Sequence, residues 1–514
     1  MIHHFLSSAI EGQSKVRYVK RGARVMQNHL GQWGLLLCIF VLCALSAIGP
    51  AAVSGQSGDE SWQVSVLMTV GEGERLWYPS IVADPSGNVH VFWTYEFEYI
   101  YYARWDGVSW SEPVDILFTP DGGGAMKPQA VVDPAGVLHL MWTAFKPGDR
   151  HAIYYSHAHA SNAGSFRSWT LPVTWRWDAN TPYLLMDDEG VLHAVYVYEG
   201  ANPGIYYTYS TDGGVTWAED VFVGSSDGGF NNLPRMAIDG RGRYHVVWGQ
   251  LVEYPLTSDQ FYSQSVDGGR TWTSPLKVAE AGVYQDINVA VVGDDEIHLL
   301  WNGSGPQGGR YHQWSRDGGV SWTHPTGILP LSGLAGWPSM ALDSTGRLHL
   351  ATAGNSREGG ALGVAFHSYW DGATWARYEI VPYQDYTEYA NLVVTEGNRL
   401  IVCGEGRTPG HEDFNTIWCA TRRTPAPYVA PQPLPTVALT PMATLTMSVE
   451  TTSPSAGQPM ATASPESSKA LGATSQRNED GTTESWVPIA MGVLSVAVIV
   501  GAVIFTRVIR RRRW

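Results

Sequence analysis

The sequence of 514 residues predicts an all-β protein built around a single β-propeller of four-stranded blades. Two repeated patterns predict this fold. The octet Ser-Thr-Asp-Gly-Gly-Val-Thr-Trp at Ser210–Trp217 returns with small changes at Ser265–Trp272 and Ser315–Trp322. A second pattern carries one histidine per copy, spaced 49 to 54 residues apart, at His90, His139, His193, His245, His298 and His349. Four short strands in each unit of about fifty residues are typical of a propeller blade.

The octet has the composition of a tight turn between two strands. Its aspartate can accept hydrogen bonds from the turn, and its glycines supply the positive φ that such a turn needs. Shortened copies stand at Trp105–Trp110 and Trp370–Trp375, and a degenerate copy at Ser161–Trp169 lacks the aspartate. The tryptophan would add one large side chain per unit to the core. We therefore expect structural roles for Asp106, Asp212, Asp267, Asp317, Asp371, Trp110, Trp217, Trp272, Trp322 and Trp375.

Each unit predicts four strands in a fixed order. An apolar strand leads through an Asp/Gly turn to the strand with the histidine, then to an aromatic strand, the octet and a fourth strand. A seventh unit begins at Ala390 but lacks a fourth strand, and Leu400 stands at its histidine position. The stretch Ser61–Val70 matches the missing strand, so we expect it to close the last blade and to bring Trp62 into the place of the missing octet tryptophan. The count is then seven blades, with six as the alternative.

The octet resembles the Asp-box, or bacterial neuraminidase repeat, of the sialidase-like β-propellers, with three full and two partial copies. The resemblance covers Ser61 to about Arg423 and implies a propeller whose octets are structural turns away from the substrate site. Sialidases of that family hold the substrate carboxylate with three arginines and use a tyrosine–glutamate nucleophile pair with an aspartate acid/base. This chain differs in two respects. The family has six blades, and its Arg-Ile-Pro signature is absent here, since Tyr78 precedes the first such proline and Arg235 follows its own.

The two ends of the chain differ in composition from the repeats. Residues 1–55 combine a basic stretch with the apolar run Trp33–Ile48, which predicts a signal peptide, with an uncleaved anchor as the alternative. After the propeller at 61–423, residues 424–485 are rich in Pro, Thr and Ser and predict an extended stalk. Residues 486–506 are apolar and a basic tail, 507–514, follows, which predicts a transmembrane helix with a cytoplasmic tail. The sequence thus predicts a propeller outside the cell on a single-pass membrane anchor.

Charge and cysteine content restrict the possible partners. The chain carries a net charge of −15, and the part between the predicted signal and the predicted membrane helix keeps 23 basic and 47 acidic residues. Such an acidic surface argues against nucleic acid as a partner. Cys403 and Cys419 lie on two strands of one predicted hairpin, which favours a cross-strand disulfide, with two free buried thiols as the alternative. They supply too few ligands for a metal, and no cofactor is expected.

The repeated histidines raise a metal hypothesis, but a structural role explains them better. One histidine per unit at one strand position is a repeated device, whose ring can stack on the neighbouring strand and hydrogen-bond the backbone. Symmetry would spread the six rings too widely for joint coordination. The repeated aspartates are likewise expected in turns, at Asp84, Asp133, Asp187, Asp239 and Asp343. We therefore predict no metal site.

Candidate site residues are the non-repeated residues of the loops that converge over the channel. These loops lead into each first strand or join each second strand to the third. Carboxylates, amides and aromatic rings on a concave rim suit a carbohydrate or a peptide. The ligand candidates are Tyr95, Glu96, Glu199, Asn231, Trp337 and Glu358, and the same loops carry Trp77, Tyr78, Lys127, Tyr389, Glu405 and Arg407. If the resemblance extends to sialoside hydrolysis, the catalytic candidates are Arg150, Arg235, Arg357, Tyr284 and Asp286.

These residues leave functions of different classes open. The first is extracellular binding of a carbohydrate or surface protein on the channel face without catalysis, which the missing arginine signature and the stalk favour. The second is an exo-acting glycoside hydrolase of the sialidase type, which the resemblance and the polar rim favour. A scaffold for partner proteins at the cell envelope is a third, minor hypothesis. We expect a monomer in each case.

Overall fold

The computed structural model describes residues 61–146, 150–225, 230–253, 257–283, 287–303, 309–329, 331–332, 338–356 and 363–434. These residues form seven antiparallel sheets, six of four strands and one of five. The innermost strand of each sheet contacts that of the next, and the seventh contacts the first, so the ring is closed. The predicted all-β propeller with seven blades is therefore confirmed.

The strands of the first four blades follow the chain in order, after a first strand β1 (Gln63–Thr69) that belongs to the last blade. They are β2 (Leu76–Ala83), β3 (Val89–Tyr95), β4 (Tyr99–Trp105) and β5 (Val114–Phe118) in blade 1; β6 (Met126–Val132), β7 (Val137–Lys146), β8 (Arg150–His159) and β9 (Val173–Trp177) in blade 2; β10 (Ala179–Met186), β11 (Leu192–Tyr198), β12 (Gly204–Ser210) and β13 (Val221–Gly224) in blade 3; and β14 (Phe230–Ile238), β15 (Tyr244–Glu253), β16 (Thr257–Ser265) and β17 (Leu276–Val283) in blade 4.

The remaining blades continue the same order, and the inner strand of blade 6 is in two pieces. The strands are β18 (Ile287–Val292), β19 (Glu296–Gly303), β20 (Gly309–Ser315) and β21 (Thr326–Leu329) in blade 5; β22 (Leu331–Ser332), β23 (Ser339–Leu342), β24 (Leu348–Ser356), β25 (Val364–Tyr369) and β26 (Glu379–Val381) in blade 6; and β27 (Tyr386–Thr395), β28 (Arg399–Arg407) and β29 (Thr416–Arg423) in blade 7. Short 3-10 helices lie before and within blade 2, at Pro120–Gly122, Ala160–Asn162 and Phe166–Ser168.

Blade 7 joins the two ends of the propeller. Its strand order is β1-β29-β28-β27, so the N-terminal strand is the outer strand of the last blade, as predicted. Cys403 on β28 lies directly opposite Cys419 on β29. Their sulfur atoms form a disulfide with an S–S distance of 1.99 Å, and both residues are fully buried. The closing blade is thus held by strand pairing and by one covalent bond.

The chain after β29 stays on the propeller as far as the structure describes it. We call residues 424–434 the C-terminal strap. Its backbone accepts a hydrogen bond from Ser344 Oγ at 2.6 Å and donates to the carbonyls of Glu396 and Pro85 at 2.9 and 2.7 Å. Leu434 packs against the core between blades 1 and 2. The strap therefore crosses the first turns of blades 6, 7 and 1 and ends beside blade 2, spanning the point of closure.

The predicted signal peptide at 1–55, the rest of the predicted stalk beyond 434, the predicted membrane helix at 486–506 and the tail at 507–514 lie outside the described residues. Within the described part of the chain, no helix combines the length and the apolar character needed to span a bilayer.

The apolar core is divided into clusters that fill the gaps between neighbouring blades. Each of the seven gaps contains a tryptophan from an octet, a degenerate octet or the N-terminal stretch. Six of these come from the octets or their degenerate copies, and Trp62 occupies the gap between blades 6 and 7. It packs edge-on against His367 with ring centroids 5.7 Å apart. A chain that closed in six blades would have no gap for this seventh tryptophan.

The octet folds into a turn held by its own side chains. Asp212 accepts hydrogen bonds from the backbone N–H of Thr216 at 2.8 Å and from its hydroxyl at 2.6 Å. Ser210 accepts a bond from the backbone of Gly214 at 2.9 Å and donates to Asp212. The hydrogen bonds from Thr216 and Ser210 lower the pKa of Asp212 to about 2. The same bonds recur at Asp267 and Asp317. The carboxylate oxygens of these octet aspartates therefore accept hydrogen bonds from their own turn.

Each repeated histidine bridges two side chains of its own blade. In blade 1, His90 Nδ1 lies 2.8 Å from the Tyr102 hydroxyl, and Nε2 lies 3.1 Å from Asp84 Oδ2. We expected backbone partners, and the structure shows side-chain partners. We call this group the histidine unit. Its equivalents are Asp133–His139–Tyr155, Asp187–His193–Tyr207, Asp239–His245–Tyr262, Glu296–His298–His312 and Asp343–His349–His367.

Blade 7 lacks both polar members at once. Leu400 replaces the histidine, and Ala420 stands at the position that tyrosine occupies on the third strand, judged by the pairing register. A buried hydroxyl without its partner would be destabilising, whereas replacing both partners by apolar groups avoids that penalty. The paired loss in blade 7 therefore supports a structural role for the histidine unit.

In blades 2, 3 and 4 the histidine unit also contacts the octet turn of the next blade. The octet tryptophan of blade 4, Trp272, packs edge-on against Tyr207 of blade 3 at 5.6 Å, and Trp322 of blade 5 does the same on Tyr262 at 5.0 Å. The second octet glycine lies against the same tyrosine. A methyl carbon at Gly269 would stand 2.2 Å from Tyr207, closer than any side chain can approach. The repeat thus couples neighbouring blades through one tyrosine.

The first prediction tests the coupling within one histidine unit. His193→Leu leaves Asp187 and the Tyr207 hydroxyl without their partner, and we expect it to lower the free energy of unfolding by about 2–4 kcal/mol. In the double variant with Tyr207→Phe, the loss in the free energy of unfolding should be smaller than the sum of the two single losses by about 1 kcal/mol or more. Urea unfolding measures all three variants, with the exposed Tyr209→Phe as a control. Strictly additive losses would contradict the coupling between His193 and Tyr207.

The second prediction concerns pH. Burial lowers the pKa of His245 from 6.5 to about 4, outweighing the opposite effect of Asp239. The unfolded chain therefore takes up a proton at a pH where the folded chain does not, and this favours unfolding between pH 6.5 and about 4. Burial would raise the pKa of Asp84, but hydrogen bonds from His90 and Asn88 lower it from 3.8 to about 2, so Asp84 destabilises the fold in the same direction only at lower pH, between 3.8 and about 2. We expect the melting temperature to fall steadily from pH 6.5 to 4. A constant or rising melting temperature would contradict this assignment.

Candidate functional site

The inner strands of five blades share a bulge at their channel-face end. At each bulge the pairing register shifts and one residue other than glycine has a positive φ of 44–55°. A bulge redirects a side chain, and a positive φ is strained for a large residue. Such strain clusters at ligand sites when the surrounding structure enforces it. The residues are Tyr78, Lys127, Thr181, Leu233 and Tyr389, in blades 1, 2, 3, 4 and 7.

Three consecutive bulge residues contact each other across the blade boundaries. The ring of Tyr78 packs edge-on against Tyr389 of blade 7, with centroids 5.6 Å apart. On its other side, Lys127 Nζ of blade 2 lies 5.9 Å from the centroid of the Tyr78 ring. All three side chains are half-buried. We call Tyr389, Tyr78 and Lys127 the bulge arc, because they form a continuous curve around the axis at one end of the channel.

A second group of aromatic rings extends the arc outward. Trp77 stacks on Phe97 at 5.5 Å and packs edge-on against Phe414 at 5.1 Å. Phe97 lies in the turn between β3 and β4, and Phe414 precedes β29, so both belong to loops of the same face. Trp77, Phe97 and Phe414 are half-buried. The face therefore presents connected aromatic surface rather than isolated rings.

A buried carboxyl group supports the arc from below. Glu405 is fully buried, and its Oε2 accepts a hydrogen bond from the backbone N–H of Tyr78 at 2.7 Å. Its Oε1 has no hydrogen-bond partner among the described residues. Burial, with a contribution from the charge of Glu388, raises the pKa of Glu405 well above 4.5. In blade 3 the corresponding N–H, that of Thr181, is held by the Thr143 hydroxyl at 2.9 Å.

The described ligand candidates lie on this face, each with a polar partner or a buried position. The Tyr95 hydroxyl donates to Glu74 at 2.5 Å, which raises the pKa of Tyr95 to about 12. Glu96 sits in the turn after β3 with φ 52°. Glu199 accepts hydrogen bonds from Asn180 and from His151. Asn231 donates to Ser225 at 3.3 Å. The other two candidates lie outside the described residues, at Trp337 and Glu358.

The arginine candidates are held by different neighbours in different blades. Arg150 of blade 2 donates two hydrogen bonds to Asp178, both 2.6 Å long, and covers the Trp177 ring. Arg235 of blade 4 is buried, with its guanidinium 5.2 Å from the Tyr183 ring centroid. A site of the sialidase type would also need the remaining candidates, Arg357, Tyr284 and Asp286. These three residues lie outside the described residues. The described part of the chain also contains no group of three or more His, Cys, Asp or Glu placed to hold a metal ion.

The sequence placed Tyr78, Lys127 and Tyr389 on the converging loops but did not group them as one site. They stand immediately before the proline, or the equivalent alanine, that opens each repeat. These residues vary from blade to blade, whereas the proline after them recurs. A variable position next to a repeated one is the sequence signal that could have identified them as site residues. The positive φ that makes them special is invisible in the sequence because none of them is glycine.

Solved structures that are similar to this chain share 12–14% of its sequence. No protein-family model and no curated protein matches the chain. Among solved structures, an ulvan lyase has 12% identity and a TM-score of 0.49, with 69% of this chain and 95% of that chain covered. A protein of unknown function from Dyadobacter fermentans has 14% identity and a TM-score of 0.47, covering 71% and 99%. The NanB sialidase from Streptococcus pneumoniae has 13% identity and a TM-score of 0.42, covering 70% of each chain.

The resemblance to sialidase-like propellers rests on the octets of this chain. The assignment of seven blades depends on the strand pairing of this chain itself. At identities this low, the activities of these proteins do not transfer to this one.

The third prediction concerns the buried carboxyl group. A folded-state pKa raised above 4.5 stabilises the fold below that pH and loses this contribution as pH rises through the folded pKa. Glu405→Gln keeps an acceptor for the Tyr78 N–H but cannot ionise. We expect its melting temperature to match the parent near pH 4.5 and to exceed it increasingly toward pH 9. A difference independent of pH would contradict the assignment, and Glu112→Gln, at an exposed site, is the control.

Proposed function

We propose that the propeller binds a glycan on the bulge arc, without catalysis. The observation that carries the proposal is the contact of Tyr389, Tyr78 and Lys127 across two blade boundaries on strained backbone. Tyrosine rings offer flat apolar faces that suit the C–H face of a sugar ring, and their hydroxyl groups and the ammonium group can bind sugar hydroxyls. The aromatic group around Trp77 would accept further sugar units.

Contacts already made within the protein favour binding over sialoside hydrolysis. Arg150 already donates two hydrogen bonds to Asp178, through its Nε and one Nη. Arg235 is buried against Tyr183. A hydrolase of the sialidase type would need arginines that are open to a substrate carboxylate. The exo-acting hydrolase therefore stays an alternative without a specific observation in its favour.

The sequence supports a location for this activity. We propose that residues 1–55 direct export and that the helix at 486–506 holds the protein in the cell membrane, with the propeller outside. The described strap runs across the face of the first turns, opposite the bulge arc. An anchor attached there would leave the arc free to meet glycans or glycosylated proteins outside the cell.

The fourth prediction tests the arc as the binding surface. The full-length protein should bind at least one class of glycan saturably on a glycan array. Tyr78→Leu, which removes the aromatic face but keeps an apolar side chain, should weaken binding about fivefold to tenfold. Lys127→Gln should weaken it as well, and Tyr209→Leu on the opposite face should bind like the parent.

Two results would overturn the proposal. One is a folded protein that binds no glycan saturably, and the other is binding that Tyr78→Leu and Lys127→Gln leave unchanged. Turnover of an aryl sialoside that is lost in Arg235→Gln would instead establish the hydrolase alternative.

A further inference from the structure

A cavity of about 310 Å³ opens between blades 1 and 2, on the face of the octet turns. It lies away from the bulge arc, which belongs to the opposite face. One wall is the third strand of blade 1, with Tyr102 and Arg104, and the turn residue Ser111. The other wall is the short helical segment of blade 2, with Asn162, Ser165 and Ser168. The lining contains hydroxyl, amide and guanidinium groups and no carboxylate.

The cavity exists because blade 2 has lost its octet. In the next gap, a methyl carbon at Gly214 would stand 2.2 Å from the Tyr155 hydroxyl, so the turn fills the space against the tyrosine. In the gap between blades 1 and 2, Gly164 takes that place. A methyl carbon there would stand 3.7 Å from the Tyr102 ring. The degenerate turn is thus further from its neighbour, and the space between them is open to solvent.

Arg104 is the only cationic group on the cavity wall. Most described arginines near acidic residues form ion pairs, as Arg176 does with Asp220 and Arg422 with Glu379. Arg104 is half-buried, and no carboxylate of the described residues lies within ion-pairing distance of it. In a chain with a net charge of −15, an arginine left without a carboxylate is an available binding group for an anion.

The neighbouring groups complete a set of donors. The hydroxyl groups of Ser165 and Ser168 and the amide of Asn162 can all donate hydrogen bonds to oxygen. Ser111 is already engaged, since its hydroxyl accepts from the backbone of Arg104 at 3.0 Å and donates to the Glu112 carbonyl at 3.3 Å. A guanidinium group and several neutral donors are the combination that binds an oxyanion with more than one oxygen.

We propose that this cavity binds a single oxyanion, a sulfate or a carboxylate group, carried on a ligand of about the size of a hexose. Arg104 pairs with the anion through its guanidinium group, and the donors of blade 2 hold the remaining oxygens. The site is separate from the bulge arc, so it does not depend on the proposed glycan site. It would add a preference for acidic ligands at the side of an otherwise acidic protein.

The test is isothermal titration calorimetry of the full-length protein with sodium sulfate, a monosulfated hexose, glucuronate and glucose. The parent should bind at least one of the three anions saturably and should not bind glucose at this site. Arg104→Gln should weaken anion binding about tenfold or more. Arg270→Gln, which removes an exposed arginine from the octet turn of blade 4, is the matched control and should bind like the parent.

A second variant separates loss of the site from loss of the fold. Ser165→Phe places a ring in the cavity and leaves Arg104 in place, and it should abolish binding without changing the melting temperature. Binding of the monosulfated hexose would assign the site to a sulfate ester, and binding of glucuronate would assign it to a uronic acid. Binding of inorganic sulfate alone would contradict a ligand of the size of a hexose. No saturable anion binding by the parent, or equal binding by Arg104→Gln and the parent, would overturn the proposal.

Discussion

The contact between the histidine unit of one blade and the octet turn of the next is the interaction on which the propeller depends. Within a blade, the histidine joins the first turn to the third strand. Between blades, the tyrosine of that strand receives the glycine and the tryptophan of the neighbouring turn. Blades 5 and 6 use a second histidine in place of the tyrosine, and their neighbours present tryptophan rings, Trp370, Trp375 and Trp62, rather than a double glycine. In these two gaps the substitution on one side is therefore matched on the other.

Much of the architecture could be predicted from the sequence, because repeats display their period directly. The spacing of His90 and its equivalents indicated the blades, and the missing fourth strand after Cys419 indicated where the N-terminal strand belongs. The partners of the histidines could not be predicted, since Tyr102 is one of many aromatic residues on its strand and only the register selects it. The bulge arc was hidden for a different reason. Backbone strain at Tyr78 is imposed by neighbouring strands and by Glu405, more than three hundred residues away along the chain.

The two faces of the propeller differ in which residues they carry. The repeated residues concentrate at the first turns and the octets, where they couple the blades. The residues that vary from blade to blade concentrate at the other end, where the bulges point different side chains into one curve. Loss of the repeat in blade 2 breaks this division, since it opens a cavity beside Arg104 on the structural face. Where the contact between an octet turn and its neighbouring blade is lost, the space that opens can be lined by residues that are not part of the repeat.

The position of the disulfide also determines how the molecule would respond to tension. A pull on the chain beyond Leu434 would first peel the strap from the turns of blades 1, 7 and 6, one hydrogen bond at a time. The force would then reach β29, which is paired on both sides, with β1 and with β28. If β29 separated from its C-terminal end, only the few residues between Arg423 and Cys419 could extend. The disulfide would then transfer the force from Cys419 to Cys403. If the chain is tethered through its C-terminal part, the propeller would extend by a short, limited length and then resist further extension, so that the face with the bulge arc keeps its shape under load.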